Sequence, residues 1–557
     1  MTRPPKQAGQ NGDCRTGEAT SQGRDVAVQL PCLARRLSLA AWLSALFTVS
    51  GRGAFAAPDD AHPPQAVRSI AELKHVDGAA NIEPSGIAVA GYFVPGDGGG
   101  GQFDWDPSNS QHPDDFLTFA PSTPRYQANP IPPGRWVRRV ESANLTFEMA
   151  GARGDGETDD WQSCQVAINI ASKRFFGATF RLLPGKQYLI DKDTLILWFG
   201  VIIQGPGVSL GQTSQYVDSF LRAGGGFWLN PAHSIKMMPA TAIRDVWILR
   251  KSLREKLLPN AEQLLSEVAS WAQEPSIGIL GAGDSFEVAR CTVVGFNKAL
   301  LATRCGRFVI QDFHFDCING VEITVVGDVS RVRGAHGIPY YGYHLGDGGD
   351  GSLWYRPGIG YNIHDKADDV VLEDCFALGY QIGFRLSNVW DVCILRPSFD
   401  GSTVLAARKR TIGMLFENCV SYCNVEVPSI VACGQALVLN QTDADKATDK
   451  PQGKVYGGGF VTVRGGAVGS IAKTQEPTVA LGPYSRGVIS GVLFNCVGTQ
   501  SIGVGPDVRG WLIEDIRLWQ GAPIEWISIH PSSKSAVKVT GVIDMDKTPP
   551  VWLVARS

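Results

Sequence analysis

Phe286-Glu-Val-Ala-Arg-Cys291, Phe308-Val-Ile-Gln-Asp-Phe313, Val370-Val-Leu-Glu-Asp-Cys375 and Met414-Leu-Phe-Glu-Asn-Cys419 read as one pattern: alternating apolar residues, a polar corner, then Cys or Phe. The first two are 22 residues apart (313 − 291), and Cys375 to Cys419 is 44, two such steps with Val392-Cys-Ile-Leu-Arg-Pro397 between them. Residues 242–246, 492–496 and 511–516 echo the pattern. A period in the low twenties built of short strands and corners, without a regular helix, marks a β-solenoid. Stacked coils would place Cys291, Phe313, Cys375 and Cys419 in one interior column. Leucine-rich repeats share the period, but their Leu/Asn scaffold is missing. The fold class is therefore all-β, a parallel β-helix.

Outward from this repeat, two insertions interrupt it. Residues 251–272 carry helical periodicity through Leu253, Leu257, Leu264, Leu265 and Val268, and residues 331–369 form a Gly- and Tyr-rich excursion. Upstream, Gly151-Ala-Arg-Gly-Asp-Gly-Glu-Thr-Asp-Asp160 leads into an amphipathic capping helix, with Asp159 or Asp160 as N-cap. Before it lies a Gly/Pro-rich β module, containing Gly91-Tyr-Phe-Val-Pro-Gly-Asp97, Gly98 to Gly101 and Gly134-Arg-Trp-Val137. The divisions expected are 1–57 as leader, 58–145 as the module, 146–545 as the β-helix and 546–557 as a tail.

The leader pairs Arg35 and Arg36 with an apolar run over 37–49, then Ala54-Phe55-Ala56. This is signal-peptide syntax, with cleavage after Ala56 or Ala57 and a secreted or periplasmic product; the paired arginines hint at twin-arginine export. The run is too short to span a bilayer, and no other stretch is a candidate. A net charge of −3 supplies no basic field for nucleic acid or anionic lipid. No phosphate cradle follows the glycines at 98–101. Of the 12 cysteines, Cys14 and Cys32 fall in the leader; the others show no metal-ligand spacing and read as buried hydrophobes.

With these residues in view, the chain resembles the pectate-lyase-like β-helix family, related to family 28 glycoside hydrolases, and phage tailspike β-helices. The carrying residues are 151–160 with their helix, similar to the opening motif of that family, and the module at 91–106 and 134–137. The resemblance implies a right-handed helix and a polysaccharide partner, with three chains side by side as in tailspikes. It departs from the polygalacturonase pattern: Gly334-Ala335-His336-Gly337 precedes Ala367-Asp368-Asp369, and no Asn-Thr-Asp or Arg-Ile-Lys exists. Arg356-Pro357 and Arg396-Pro397 are fragments of a pectate lyase element, for which calcium would be the cofactor.

Three constellations are candidates for chemistry. In Asp312-Phe-His-Phe-Asp316, inward Phe313 and Phe315 turn His314 outward, with Asp316 beside it, whereas Asp312 shares the corner position with Asp245, Asp374, Asn418 and Asp515. Gln311, Glu373, Glu417 and Glu514 occupy one outward step, where two carboxylates would serve as acid and base. The excursion supplies aromatic faces for sugar rings and an arginine for a uronate: Tyr340, Tyr341, Tyr343, Trp354, Tyr355 and Arg356. The expected catalytic set is His314, Asp316, Glu322, His336, Asp365 and Glu373, on the lateral face of the middle coils. Two functions follow: degradation of an extracellular acidic polysaccharide by hydrolysis or β-elimination, or binding without cleavage, as in an adhesin.

Overall fold

The computed structural model describes residues 65–78, 86–175, 177–207, 224–256, 258–401, 411–441, 459–470, 476–496, 500–519, 526–547 and 550–554. The leader lies outside them. From Asp155 onward the chain winds as a right-handed parallel β-helix. A coil has three strands, as in Val309–Gln311, His314–Asp316 and Asn319–Thr324. First and second strands stack into one 26-stranded sheet that bends at a corner, and third strands stack into a 12-stranded sheet.

One backbone device repeats at the bend. Asp245, Arg290, Asp312, Gly334, Asp374, Arg396, Val427 and Asp515 each end or interrupt a strand with positive φ. There the N–H of Asp312 donates to the Arg333 carbonyl (2.9 Å) and that of Asp374 to the Leu395 carbonyl (3.0 Å), so the turn sacrifices no ladder bond. Asp and Asn tolerate this left-handed conformation better than other chiral residues, because their short polar side chains bond locally. The residue after the corner points inward: Val246, Cys291, Phe313, Ala335 and Cys375 are all buried. A second corner of the same type follows the third strands, at Arg304, Val325, Asp365, Asn388 and Asn418.

That second corner corrects the alignment at one place. Met414–Cys419 belongs to a third strand, Ile412–Glu417, whose partners are Ser387 and Asn440, so Cys419 lies in a different interior column from Cys375. The first strand of the next coil is Tyr422–Glu426, with Glu426 opposite Leu395. Both corners demand the same conformation, and Asn418 imitates Asp374. Glu417 therefore does not share the step of Gln311 and Glu373.

Aromatic stacks reinforce the core, with Phe286 on Phe308 at 5.0 Å and Tyr361 on Phe384 at 4.8 Å between ring centroids. Nine cysteines, Cys164, Cys291, Cys305, Cys317, Cys375, Cys393, Cys419, Cys423 and Cys433, are free thiols, all but Cys393 buried. Helix Trp161–Arg174 closes the N-terminal end of this core through Cys164, Ala167, Ile168 and Ala171. Asp160, its N-cap, turns its carboxylate back to the N–H groups of Arg153 and Gly154 (2.6 and 2.9 Å). At the other end Val551–Val554, read from sequence as tail, pairs antiparallel with Val537–Asp544. The upstream module is a sheet ordered Gln65–Val67, Ile87–Val89, Gly101–Asp106, Arg135–Arg138, Thr118–Phe119, packed around Phe103, Phe119 and Trp136.

Candidate functional site

The two insertions leave the helix at the same junction, between second and third strands. The first forms helix Ala261–Gln273, opened by an Asn260/Gln263 capping box. The excursion is shorter than its sequence suggested: Ser330–Arg333 and His336–Gly337 are coil strands, and Arg356–His364 is a third strand, which leaves 338–355 as the loop. The loop packs onto the helix. Trp271 lies 5.6 Å from Tyr341, whose hydroxyl donates to the Lys256 carbonyl (2.9 Å), and His344 Nε2 reaches the Pro259 carbonyl (3.0 Å). Together they bury outward Trp228, Trp247, Leu249 and Val294 of the second strands in a satellite core with Leu264, Tyr341 and Leu353.

This placement changes the roles expected of several residues. Arg356, read as a grip for a uronate, is 1% exposed and forks onto Asp316, itself fully buried, through Nε–Oδ1 (2.6 Å) and Nη2–Oδ2 (3.0 Å). The backbone N–H of Tyr341 completes the carboxylate's shell at 2.8 Å. Asp316 therefore anchors the loop, and neither member of the pair can touch a glycan. Tyr340 and Tyr341 are buried as well, and Tyr343 spends one ring face on Trp354 (5.3 Å, interplanar 1°). Trp354 and Tyr355 are half-buried. The dense aromatic composition builds a lid on the satellite core, because rings this large bury more area than a short loop can leave wet.

Apart from Asp316, the residues expected to be catalytic fall into three places. His314 and His336 are neighbours on successive second strands, with ring centroids 5.6 Å apart and Tyr340 Oη 2.5 Å from His314 Nδ1. Burial, then the His336 charge, holds His314 down to about 4, so it is neutral at ordinary pH. Glu373 lies on the outer side of a first strand, where Arg396 (2.7 Å) and Arg333 (3.7 Å) pair with it.

Glu322 and Asp365 do come together, on the outer face of the third-strand sheet, and what joins them is His364. Its Nδ1 lies 2.8 Å from Asp365 Oδ2, and its buried Nε2 faces Glu322 Oε1 at 3.3 Å, near enough for an ion pair but off the hydrogen-bond axis. Contact with Glu322 raises the His364 pKa above the usual imidazole range; burial opposes this, and Asp365 adds to the rise. Burial pushes the Glu322 carboxyl up, but His364 and Lys298 (2.8 Å) outweigh it and hold it ionised below its ordinary value. Glu322 is nearly enclosed, whereas the Asp365 side chain is 61% exposed. The row thus runs from a nearly buried carboxylate, past an imidazole whose pKa is raised, to a carboxylate open to solvent.

The ladder extends the site. His364 stands opposite Ser387, and Ser387 opposite Glu417, which puts Glu417 two coils beyond His364 in the same outward column. Arg385 lies between them, on Glu417 Oε2 at 2.7 Å. Coils stack at about 4.8 Å, so the two positions are about 10 Å apart. His364 falls within the excursion over 331–369 read as a candidate, without a role of its own; Lys298, Asn362 and Arg385 were not among the expected site residues. The period-2 alternation of third strand Arg356–His364, with inward Tyr361 and Ile363, carried the signal for Asn362 and His364.

Asp368, Asp369 and Asp391 bring carboxylate oxygens within 4.8 Å of one another, the one such group among the described residues, and such exposed clusters are common without an ion. In the 346–351 turn, Asp347 and Asp350 accept from Gly349 and Ser352 N–H groups. No described helix is long and apolar enough to cross a membrane.

The upstream sheet, with Trp136 and Phe103 at its centre, has a counterpart among known families. Residues 66–141 match the phage tail protein small four-stranded beta-sheet domain. No curated protein matches the chain. Solved structures share the β-helix. The tailspike gp49 of Acinetobacter baumannii bacteriophage Fri1, a capsular polysaccharide depolymerase, is 13% identical, with 86% of this chain and 74% of that one covered at a TM-score of 0.48. The catalytic unit of a thermostable GH87 α-1,3-glucanase from Streptomyces thermodiastaticus is 11% identical over 76% and 72%, at 0.45. PfbA, a surface adhesin of Streptococcus pneumoniae, is 12% identical over 72% and 92%, at 0.40. The likeness is one of architecture and assigns no chemistry to this chain.

Proposed function

We propose that the protein acts on an extracellular polysaccharide laid along the outer face of the third-strand sheet, and hydrolyses it. The Glu322–His364–Asp365 row carries this reading, because it ends in an exposed carboxylate backed by an imidazole whose pKa is raised by its two carboxylate neighbours. Asp365 is the group that exchanges a proton with the substrate; His364 and Glu322 position and charge it. Glu417, two coils along, is the second carboxylate. Hydrolysis with inversion needs carboxyl groups about 6.5–9.5 Å apart and retention about 5 Å; Asp365 follows His364, so its backbone lies about two coil steps, about 10 Å, from that of Glu417, nearer the inverting spacing than the retaining one. The ion pairs of the strip, Lys298–Glu322, His364–Asp365 and Arg385–Glu417, alternate donors with acceptors, as hydroxyl-rich chains require.

The test is a screen of the purified protein from Ala57 onward against acidic and neutral capsular and plant polysaccharides. New reducing ends of inverted anomeric configuration, without the ultraviolet absorbance of an unsaturated uronyl product, are expected. Binding without any product would replace hydrolysis by the adhesin reading. Export through residues 37–49, a phage-derived or cell-surface location and side-by-side homotrimers belong to the same proposal; N-terminal sequencing and light scattering test them.

A further inference from the structure

At the corner where third strands pass into first strands, three successive coils border an open surface hollow of about 270 Å³ lined by Asp284, Arg304, Arg307, Val325, Gly327 and Asp328. Its polar groups are unevenly committed. Arg307 is shared between Asp284 and Asp328 at 3.5 Å each, the long end of an ion pair. Asp284 also accepts from the Gly306 N–H (2.8 Å). Arg304 is exposed and makes no hydrogen bond or ion pair with any described residue. The wall opposite is Val325, 44% exposed at φ 53, a left-handed conformation that a β-branched residue rarely adopts. Its N–H donates to the Asp365 carbonyl at 3.0 Å, which ties the wall of the hollow to the Glu322–His364–Asp365 row. Arg304, Val325 and Asp365 occupy the same corner of consecutive coils, so Arg304 lies two coil steps, about 10 Å, from Asp365.

We infer that this hollow is a subsite for one anionic sugar residue of the bound glycan. The substituent's charge pairs with Arg304, the ring lies on Val325, and the hydroxyls bond to Asp328 and Arg307. An uncommitted guanidinium presents two parallel donors, which match a carboxylate or a phosphate equally. The inference rests on the reading of the third-strand face as the glycan track and names the substrate class that track selects. A strained valine beside an unpaired cation costs more at this corner than the Asp, Asn or Gly found at many others, although Arg290, Arg396 and Val427 also occupy corners of this kind.

Saturation-transfer NMR on the protein from Ala57 onward, with sodium D-glucuronate, D-glucose 6-phosphate, D-glucose and sodium acetate as probes, tests this. At least one of the two anionic sugars should bind fivefold or more tightly than glucose, and which one does so separates uronate from phosphate. Arg304→Ala should abolish that preference, Arg304→Lys should keep part of it, and Asp365→Asn should leave it in place. Equal affinity for glucose and both anionic sugars, an unchanged preference in Arg304→Ala, or acetate competing as strongly as the sugars would each overturn the subsite. A preference intact in a protein that cleaves no polysaccharide would reject hydrolysis and spare the subsite.

Discussion

Asp365 and Glu417 differ in how firmly they are held, and this sets what each substitution should do. Asp365 bonds to His364, accepts a long bond from Asn388 Nδ2 (3.5 Å) and otherwise faces solvent, so Asp365→Asn should keep the fold and lower turnover about 100-fold or more, the usual contribution of a general acid or base. Glu417→Gln should do the same but also free Arg385. The pH profile separates a catalytic role of the row from a scaffolding one. His364 has a raised pKa, so its imidazolium, and the activity that depends on it, persists at low pH and is lost as pH rises through the raised value. His364→Gln should remove that alkaline limb from kcat. Stability linked to His364 runs the same way, being complete below about 6.5 and lost above the folded-state value. His314 runs oppositely. Its pKa is depressed to about 4, so the stability gained from its neutral form is present above about 6.5 and declines as pH falls towards 4. Acid unfolding of His314→Gln against wild type measures this term. Of the site, Glu322 was read from the sequence as an outward carboxylate, and His364 and Asp365 as members of the excursion. Their pairing was not legible, because His364 meets Glu322 only across the gap that residues 338–355 open in the sequence between neighbouring coils.

The loop over 338–355 shows why composition misleads about elements. Six aromatic or basic side chains in one Gly-rich stretch read as a sugar-binding surface, yet the neighbouring helix Ala261–Gln273 and outward Trp228 and Trp247 supply a hydrophobic partner that no local pattern reveals. The buried Arg356–Asp316 pair fixes the loop to the coil. Replacing either partner alone with Ala leaves a buried charge uncompensated and should cost about 3–5 kcal/mol, whereas replacing both with apolar residues should cost much less. Urea titrations of the two single variants and the double variant test this as a cycle. The corners were legible in part. Asp312, Asp374 and Asp515 were read correctly as turn residues, and Asn418 was assigned to the wrong corner because both corners use the same backbone conformation. A β-branched residue at such a corner is strained by about 1–3 kcal/mol, and Val427 is exposed at φ 52. Exchanging it for Gly should raise the melting temperature, with the gain reduced by the roughly 0.5–1 kcal/mol of extra chain entropy that Gly loses on folding.

In the whole molecule, each coil contacts chiefly the coils on either side of it, so stability is a sum of neighbouring interfaces rather than one concerted core. The satellite core of the two insertions stands outside that stack and includes Trp228, Trp247 and Trp271. Tryptophan fluorescence and far-ultraviolet circular dichroism should therefore report different urea midpoints, and coincident curves would argue for a single cooperative unit. Helix Trp161–Arg174 adds a direction in time. It covers the end of the stack that leaves the ribosome first, and each later coil needs only its predecessor as a template. At about 5–20 residues per second, a 22-residue coil emerges every few seconds, far longer than strand pairing takes. Synthesis and winding can thus advance in step, with one open edge at any moment and always at the newest residues, so the nascent chain carries its own polarity of assembly.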